Sequence, residues 1–240
     1  MRDKNVLGLV LVTMVLSTAV LGCVVTAGGG RVQTQREVIQ REAVESANVD
    51  LRMGAGSLEV SSGSAELMEG EFTYNDRDYA PLIDYTVVSG SAVELFIEQE
   101  EISSFNLRTD YRLEWDLNFN PDILLDLYVS LGAGEVYLDA SGLNLSSLEM
   151  DLGAGEATLI LPERVAQDFE VSIQGGVGQL NAEIPEGTCV YAEIAGGLGD
   201  VEVHGMMQEG SAYRTPVCGE GPAVYLDIEG GVGEINLSVR

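Results

Sequence analysis

The sequence predicts an all-β fold: a β-solenoid, or single-stranded β-helix-like stack of short strands turned at Gly-x-Gly corners. Three observations carry this expectation. Apolar and polar residues alternate over most of the chain after residue 48, one glycine phrase recurs six times, and no stretch beyond the N-terminal segment has a long helical period.

The six phrases are Gly54-Ala55-Gly56, Gly132-Ala133-Gly134, Gly153-Ala154-Gly155, Gly176-Val177-Gly178, Gly197-Leu198-Gly199 and Gly231-Val232-Gly233. Their middle residues lie 78, 21, 23, 21 and 34 positions apart, so the short intervals define a unit of about two strands. Parity within each copy defines the local structure. Leu125, Leu127, Val129 and Leu131 alternate with polar residues before the second phrase, and Val136 and Leu138 follow it, so the inward phase moves from odd to even. Met53 gives way to Leu58, Leu152 to Leu159, Ile173 to Leu180, Ile194 to Val201 and Ile228 to Ile235 in the same manner. One residue out of step per unit is the mark of a bulge or tight corner, and glycine accepts both. Stacked units then bury their apolar faces against one another. Leu143 to Leu148 and the pairs Pro162-Glu163 and Pro185-Glu186 read as turns between units.

The elements before the first corner are of another kind. Arg2 and Lys4 precede an apolar run from Val6 to Leu21, and Val20-Leu21-Gly22-Cys23 reads as a lipobox. Residues 1–22 are therefore expected to be a lipoprotein signal peptide, with Cys23 lipidated and two acyl chains holding the membrane. An uncleaved membrane helix from Val6 to Ala27 is the alternative, and a cleaved, freely secreted chain a third. Each puts the bulk of the chain outside the cytoplasm. Residues 23–48 hold the Gly28-Gly29-Gly30 spacer and either a linker or a first strand, and 49–240 the repeat domain. That domain carries insertions at about 72–122, read as a lid, an extra sheet or a terminating cap, and at 205–222. Cys189 and Cys218 flank most of the second insertion, and in an exported chain a disulfide between them is expected.

The phrases VDLRMGAGSLEV, LDLYVSLGAGEVYLDASGLNLSSLEMDLGAGEATL and VYLDIEGGVGEINLSVR resemble the toast-rack family of exported bacterial β-repeat domains. That family is similar in turn to extracytoplasmic domains of cell-wall-antibiotic response proteins and to β-helical proteins provisionally called adhesins. The likeness runs from about Val49 to Arg240. It implies a right-handed strand stack at the cell envelope and supplies no catalytic residue. The segment between Cys189 and Cys218 stands outside its pattern.

Composition narrows the function. There are 39 acidic residues against 12 basic ones, a formal charge of −27, and a chain so acidic repels phosphate backbones, which excludes nucleic acid as a partner. Chemistry has little to work with: His204 is the one imidazole, Lys4 the one lysine, and no nucleophile elbow or P-loop occurs. His204 reads as a surface or turn residue. No catalytic residue and no cofactor are expected, and a polysaccharide-active enzyme is the remotest reading.

The residues just after the corners are Ser57, Glu135, Glu156, Gln179, Asp200 and Glu234. Stacked in register they would stand about 4.8 Å apart. Adjacent like charges oppose stacking, and Ca²⁺ bound by Glu135, Glu156, Asp200 and Glu234 would offset this. The alternative is a solvated acidic face with diffuse counterions and no metal. The chain lacks the regularly placed aspartates of calcium-loop repeats. Tyr74, Tyr79, Tyr85, Trp115 and Phe119 read first as the core of a capping sheet, and otherwise as a carbohydrate platform. The expected function is that of a non-enzymatic, membrane-tethered envelope protein. Either it is an adhesin-like module that binds an envelope polymer, or it is a regulatory partner of an envelope sensor protein.

Overall fold

The computed structural model describes residues 31–99 and 112–240, Gly197 excepted. The signal segment, Cys23 and Gly28-Gly29-Gly30 lie outside the described residues, as do Glu100 and Glu101. Fifteen strands form one sheet system: β1 (Gln33–Ile39), β2 (Ser46–Ser62), β3 (Met68–Tyr74), β4 (Pro81–Ser89), β5 (Ala92–Gln99), β6 (Leu113–Phe119), β7 (Leu124–Asp139), β8 (Asn144–Ile160), β9 (Phe169–Ile184), β10 (Val190–Ala195), β11 (Leu198–His204), β12 (Met207–Glu209), β13 (Ala212–Arg214), β14 (Val224–Glu229) and β15 (Val232–Val239). No helix among the described residues is long and apolar enough to cross a membrane.

The repeat becomes a stack of bent rungs. β2, β7, β8 and β9 are long because each runs through its corner: a first leg, the glycine phrase, then a second leg. Neighbouring rungs pair in parallel, with glycine on glycine: Gly56 on Gly134, Gly134 on Gly155, and Gly155 on Gly178. Inward residues change parity at the bend as expected. Met53 and Leu58, Leu131 and Val136, Ile173 and Leu180, and Ile228 and Ile235 are all buried.

The corners require glycine for a steric reason. A Cβ on Gly134, Gly155, Gly178 or Gly233 would lie 1.8 or 1.9 Å from the carbonyl oxygen of the matching glycine one rung away, far inside contact distance. The first glycines of the phrases, Gly132, Gly153, Gly176 and Gly231, meet the same obstacle at 2.0–2.4 Å. The second glycines also take φ between +133° and +159°, open to glycine and strained for other residues. At the first repeat corner the Gln99 side chain replaces a neighbouring backbone, its Oε1 accepting from Gly54 N at 2.9 Å.

Three features depart from the sequence reading. First, the rungs do not stack in chain order. β14 and β15, the sixth copy, pair with β9 on one side and with β10 and β11, the fifth copy, on the other. The chain passes one level, makes β10 and β11, and returns to fill the gap. The second insertion makes that return possible. It folds as the β12–β13 hairpin on the edge of β10, followed by a loop whose Cys218 is disulfide-bonded to Cys189, Cα–Cα 4.6 Å. Thr215, fully buried, donates to Thr188 O and accepts from Val190 N, and Val224 N donates to Cys189 O, so β14 starts beside β10.

Second, residues 72–122 are more than a lid. β5 pairs in parallel with the first leg of β2 and β6 with its second leg, which makes one further rung. β4 covers β5, and β3 then β1 cover β6, all antiparallel. Of the two readings of residues 23–48, the first strand is realised at β1.

Third, Leu143 to Leu148 is not a turn. β8 already starts at Asn144, and a bulge between Leu145 and Ser147 absorbs the extra residue. Ser146 there donates from its hydroxyl to Leu125 O at 3.0 Å. The Ser-Ser pair imitates turn composition, while Leu145 and Leu148 still find the core.

Candidate functional site

A stack of this kind has two ends, each with two legs, and hence four outer strand edges to protect. Among the described residues three are covered by antiparallel strands: β5 by β4, β6 by β3, and β10 by β13. The fourth belongs to β11, which pairs with β15 on one side and with no described strand on the other. Its inward-facing Val201 is 43% exposed, because no further rung lies over it. Leu198 at its corner is 78% exposed, where the equivalent residues in the first three copies are alanines. A bare edge with apolar side chains and unpaired N–H and C=O groups is a template for strand addition.

The outer face beside this edge is acidic and ordered. Ser57, Glu135, Glu156, Gln179, Glu234 and Asp200 form one register column, in that spatial order, and Glu114 extends it next to Ser57. Gln179 separates the Glu135–Glu156 pair from the Glu234–Asp200 pair, and among the described residues no three metal-ligating side chains converge. The neighbouring column carries Asn181 and Asn236, whose amides join at 3.0 Å, and Asn236 also donates to Glu234 Oε1 at 3.0 Å. Amide ladders of this kind hold adjacent carboxylates in place while water screens them.

The remaining candidates fall on either side of the surface. His204 ends β11, exposed, with Nε2 3.5 Å from Glu202 Oε2. Tyr74, Tyr79, Trp115 and Phe119 are buried and Tyr85 partly so. Trp115 packs edge-on against Phe72, centroids 5.6 Å apart. That cluster is the core of the capping end. An exposed aromatic pair lies elsewhere: Tyr191 and Tyr225, in register on β10 and β14, stack at 5.7 Å. The sequence held the signal for that pair, tyrosine at one strand position in two copies, but the adjacency depends on the swapped rung order. Gly197, at the corner before β11, lies outside the described residues.

The family model for the N-terminal domain of toast_rack (DUF2154) matches residues 28–183. The chain belongs to the toast-rack family. Within the toast-rack match lie β1 to β8 and all of β9 but its last residue; the swapped rungs, the disulfide and the bare edge lie after it. A search of curated proteins returned no match. Among solved structures, the chain is similar to a protein from Clostridium sporogenes provisionally named a cell adhesion protein. The two are 29% identical, the likeness covers 87% of this chain and 100% of that one, and the TM-score is 0.81. A Bacteroides fragilis protein provisionally named an adhesin is 14% identical, over 88% of this chain and 98% of its own, at a TM-score of 0.36, too low to guide the fold.

Proposed function

We propose that this toast-rack protein is a non-enzymatic, adhesin-like binding module of the cell envelope, held outside the cytoplasm by its N-terminal segment. The observation that carries the reading is the bare edge of β11, the one outer edge left without a covering strand among the described residues. Natural sheets cover, charge or twist such edges, and this chain covers three while leaving the fourth apolar at Leu198 and Val201. The name of the Clostridium sporogenes relative agrees with an adhesive role. The acidic columns beside the edge keep copies of the chain apart and select against anionic partners.

Regulation of an envelope sensor protein is the second reading, favoured by the burial of Trp115, Phe119, Tyr74 and Tyr79, which takes those rings out of use as a carbohydrate platform. One experiment tests both. A photo-crosslinking residue replaces Val201 in the full-length protein in its native cells, with Tyr225 on the outer face as the control position. Capture of envelope polymer or of heterogeneous surface material from position 201 supports the adhesin. A single stoichiometric membrane protein supports regulation. Equal capture from both positions would remove the β11 edge from either role.

A further inference from the structure

The six repeats differ at the inward position just before each corner. Met53, Leu131 and Leu152 fill it in the first three copies; Gly175, Gly196 and Gly230 leave it empty in the last three. The corner glycines are imposed by backbone contact, but these three are not. A Cβ on Gly175 would have its nearest neighbour at 3.9 Å, one on Gly196 at 3.7 Å, and one on Gly230 would press only on the end of the Ile235 side chain. None of the three has a backbone in the left-handed region. Gly175 lies inside β9, and Gly196 and Gly230 directly follow β10 and β14, so the chain accepts the conformational cost of glycine at three positions where the backbone does not ask for it.

The result is a channel of about 110 Å³ beneath the corners. Leu152, Ile173, Leu180, Ile228 and Ile235 line it, and it reaches Val201 and Leu198 in the uncovered rung. Leu152, the last large side chain before the gap, is only partly buried although its counterparts Met53 and Leu131 are buried. The channel runs past three rungs spaced ~4.8 Å apart, so it is narrow and extended along the stack. A pocket with this aliphatic wall, open to solvent on one side, takes up an apolar guest by releasing the water that lies on the wall. Asp200 and Glu234 stand at the open end, beside the exposed Leu198 and Val232.

We infer that this channel binds the unbranched alkyl chain of a single-tailed amphiphile whose head group is cationic or uncharged. The aliphatic wall and narrow section select a slender saturated chain. The carboxylates of Asp200 and Glu234 meet the head group and reject an anion. The inference is independent of strand addition at β11 and stands whether or not that edge has a protein partner.

The test uses the full-length protein and dodecyltrimethylammonium below its micellar concentration, followed by calorimetry and thermal unfolding. Tetramethylammonium, dodecyl maltoside and dodecyl sulfate serve as comparison probes. The expected result is one saturable site for the cationic and maltoside probes, at least tenfold weaker binding of the sulfate, and none of tetramethylammonium. Gly175→Leu should raise Tm without probe and weaken alkyl binding at least tenfold. Gly196→Val, nearer the mouth, gives the same readout should the leucine variant fail to fold. Unchanged alkyl binding in a folded filled variant would overturn the proposal. Binding of tetramethylammonium as tight as that of its dodecyl derivative would do so too, by assigning the effect to surface charge. Self-association that the filled variants abolish, with no alkyl binding, would give the mouth to a second copy and equally sink it.

Discussion

The two ends of the stack solve the same problem in opposite ways. At one end the second leg, β6, lies under β3 and β1, and its inward residues Leu113, Trp115, Leu117 and Phe119 are all buried. At the other end the second leg, β11, has inward residues of the same parity pattern, Val201 and Val203, and neither is fully buried. The strands obey one alternation; what differs is whether another described strand covers them. Burial here is a property of the neighbour, not of the residue. An end with large aromatics and two covering strands is built to terminate the stack. The other end carries valines and a leucine at its corner, and no described strand covers it.

That comparison can be broken experimentally, and corner substitutions should have the largest effect. Gly155→Ala, within the stack, would place its Cβ 1.8 Å from Gly134 O, between two rungs that cannot separate. It should cost about 3 kcal/mol or more, through overpacking and strain at φ 144°. Gly199→Ala faces a similar obstacle from Gly233 O, but its rung can lift away from the stack, so the loss should be clearly smaller. Urea unfolding of the two variants measures the gap, and equal losses would mean that the β11 end is as confined as the interior.

Truncation of the core sharpens the same contrast at an intermediate size. Trp115→Ala removes a side chain 1% exposed and should cost about 3–5 kcal/mol. Val201→Ala should stay within about 0.5 kcal/mol in the free protein, because half the benefit of that side chain is never collected without a covering partner. Thermal unfolding of the isolated protein checks both, and a large loss at Val201 would show that the edge is covered in solution.

A smaller effect than truncation of Trp115 is expected from a titration within the stack. Tyr128 donates to Asp151 Oδ2 at 2.6 Å across two rungs, and its phenol is raised above the ordinary value of 10.0, first by that hydrogen bond and then by burial. A raised value favours the protonated phenol in the folded state. Its contribution is therefore full below pH 10 and lost as the pH climbs through the raised value. Burial raises Tyr74 and Tyr85 in the same direction. Tyr128→Phe should cost about 1 kcal/mol at neutral pH and flatten the decline of stability above pH 10. An unchanged alkaline decline would assign that loss to other groups.

Much of the fold was legible because it is local. Alternation names the inward residues, the parity switch places the corner within one residue, and from the second copy on the described corner glycines sit where a neighbouring backbone oxygen is within 2.4 Å of a would-be side chain. The acidic column was legible for the same reason, since register follows once the corners align. The Ser146-Ser147 bulge was misread because a strand with one extra polar residue has the composition of a turn.

The amino-acid sequence by itself thus determined the all-β class, the bent rung, its inward residues and the glycine corners. These depend on contacts within a unit or between any two like units, and like units are interchangeable as neighbours. For that same reason the sequence could not determine their order. Only the tertiary structure decided that the sixth copy lies between the fourth and the fifth, because a loop tied at Cys189–Cys218 returns the chain to a vacant level. It also decided that β5 and β6 make a rung, that Tyr191 meets Tyr225, and that no described strand covers the outer edge of β11. Each of these depends on which strand stands next to which, and adjacency between equivalent strands is a choice made by connections rather than by side-chain pattern.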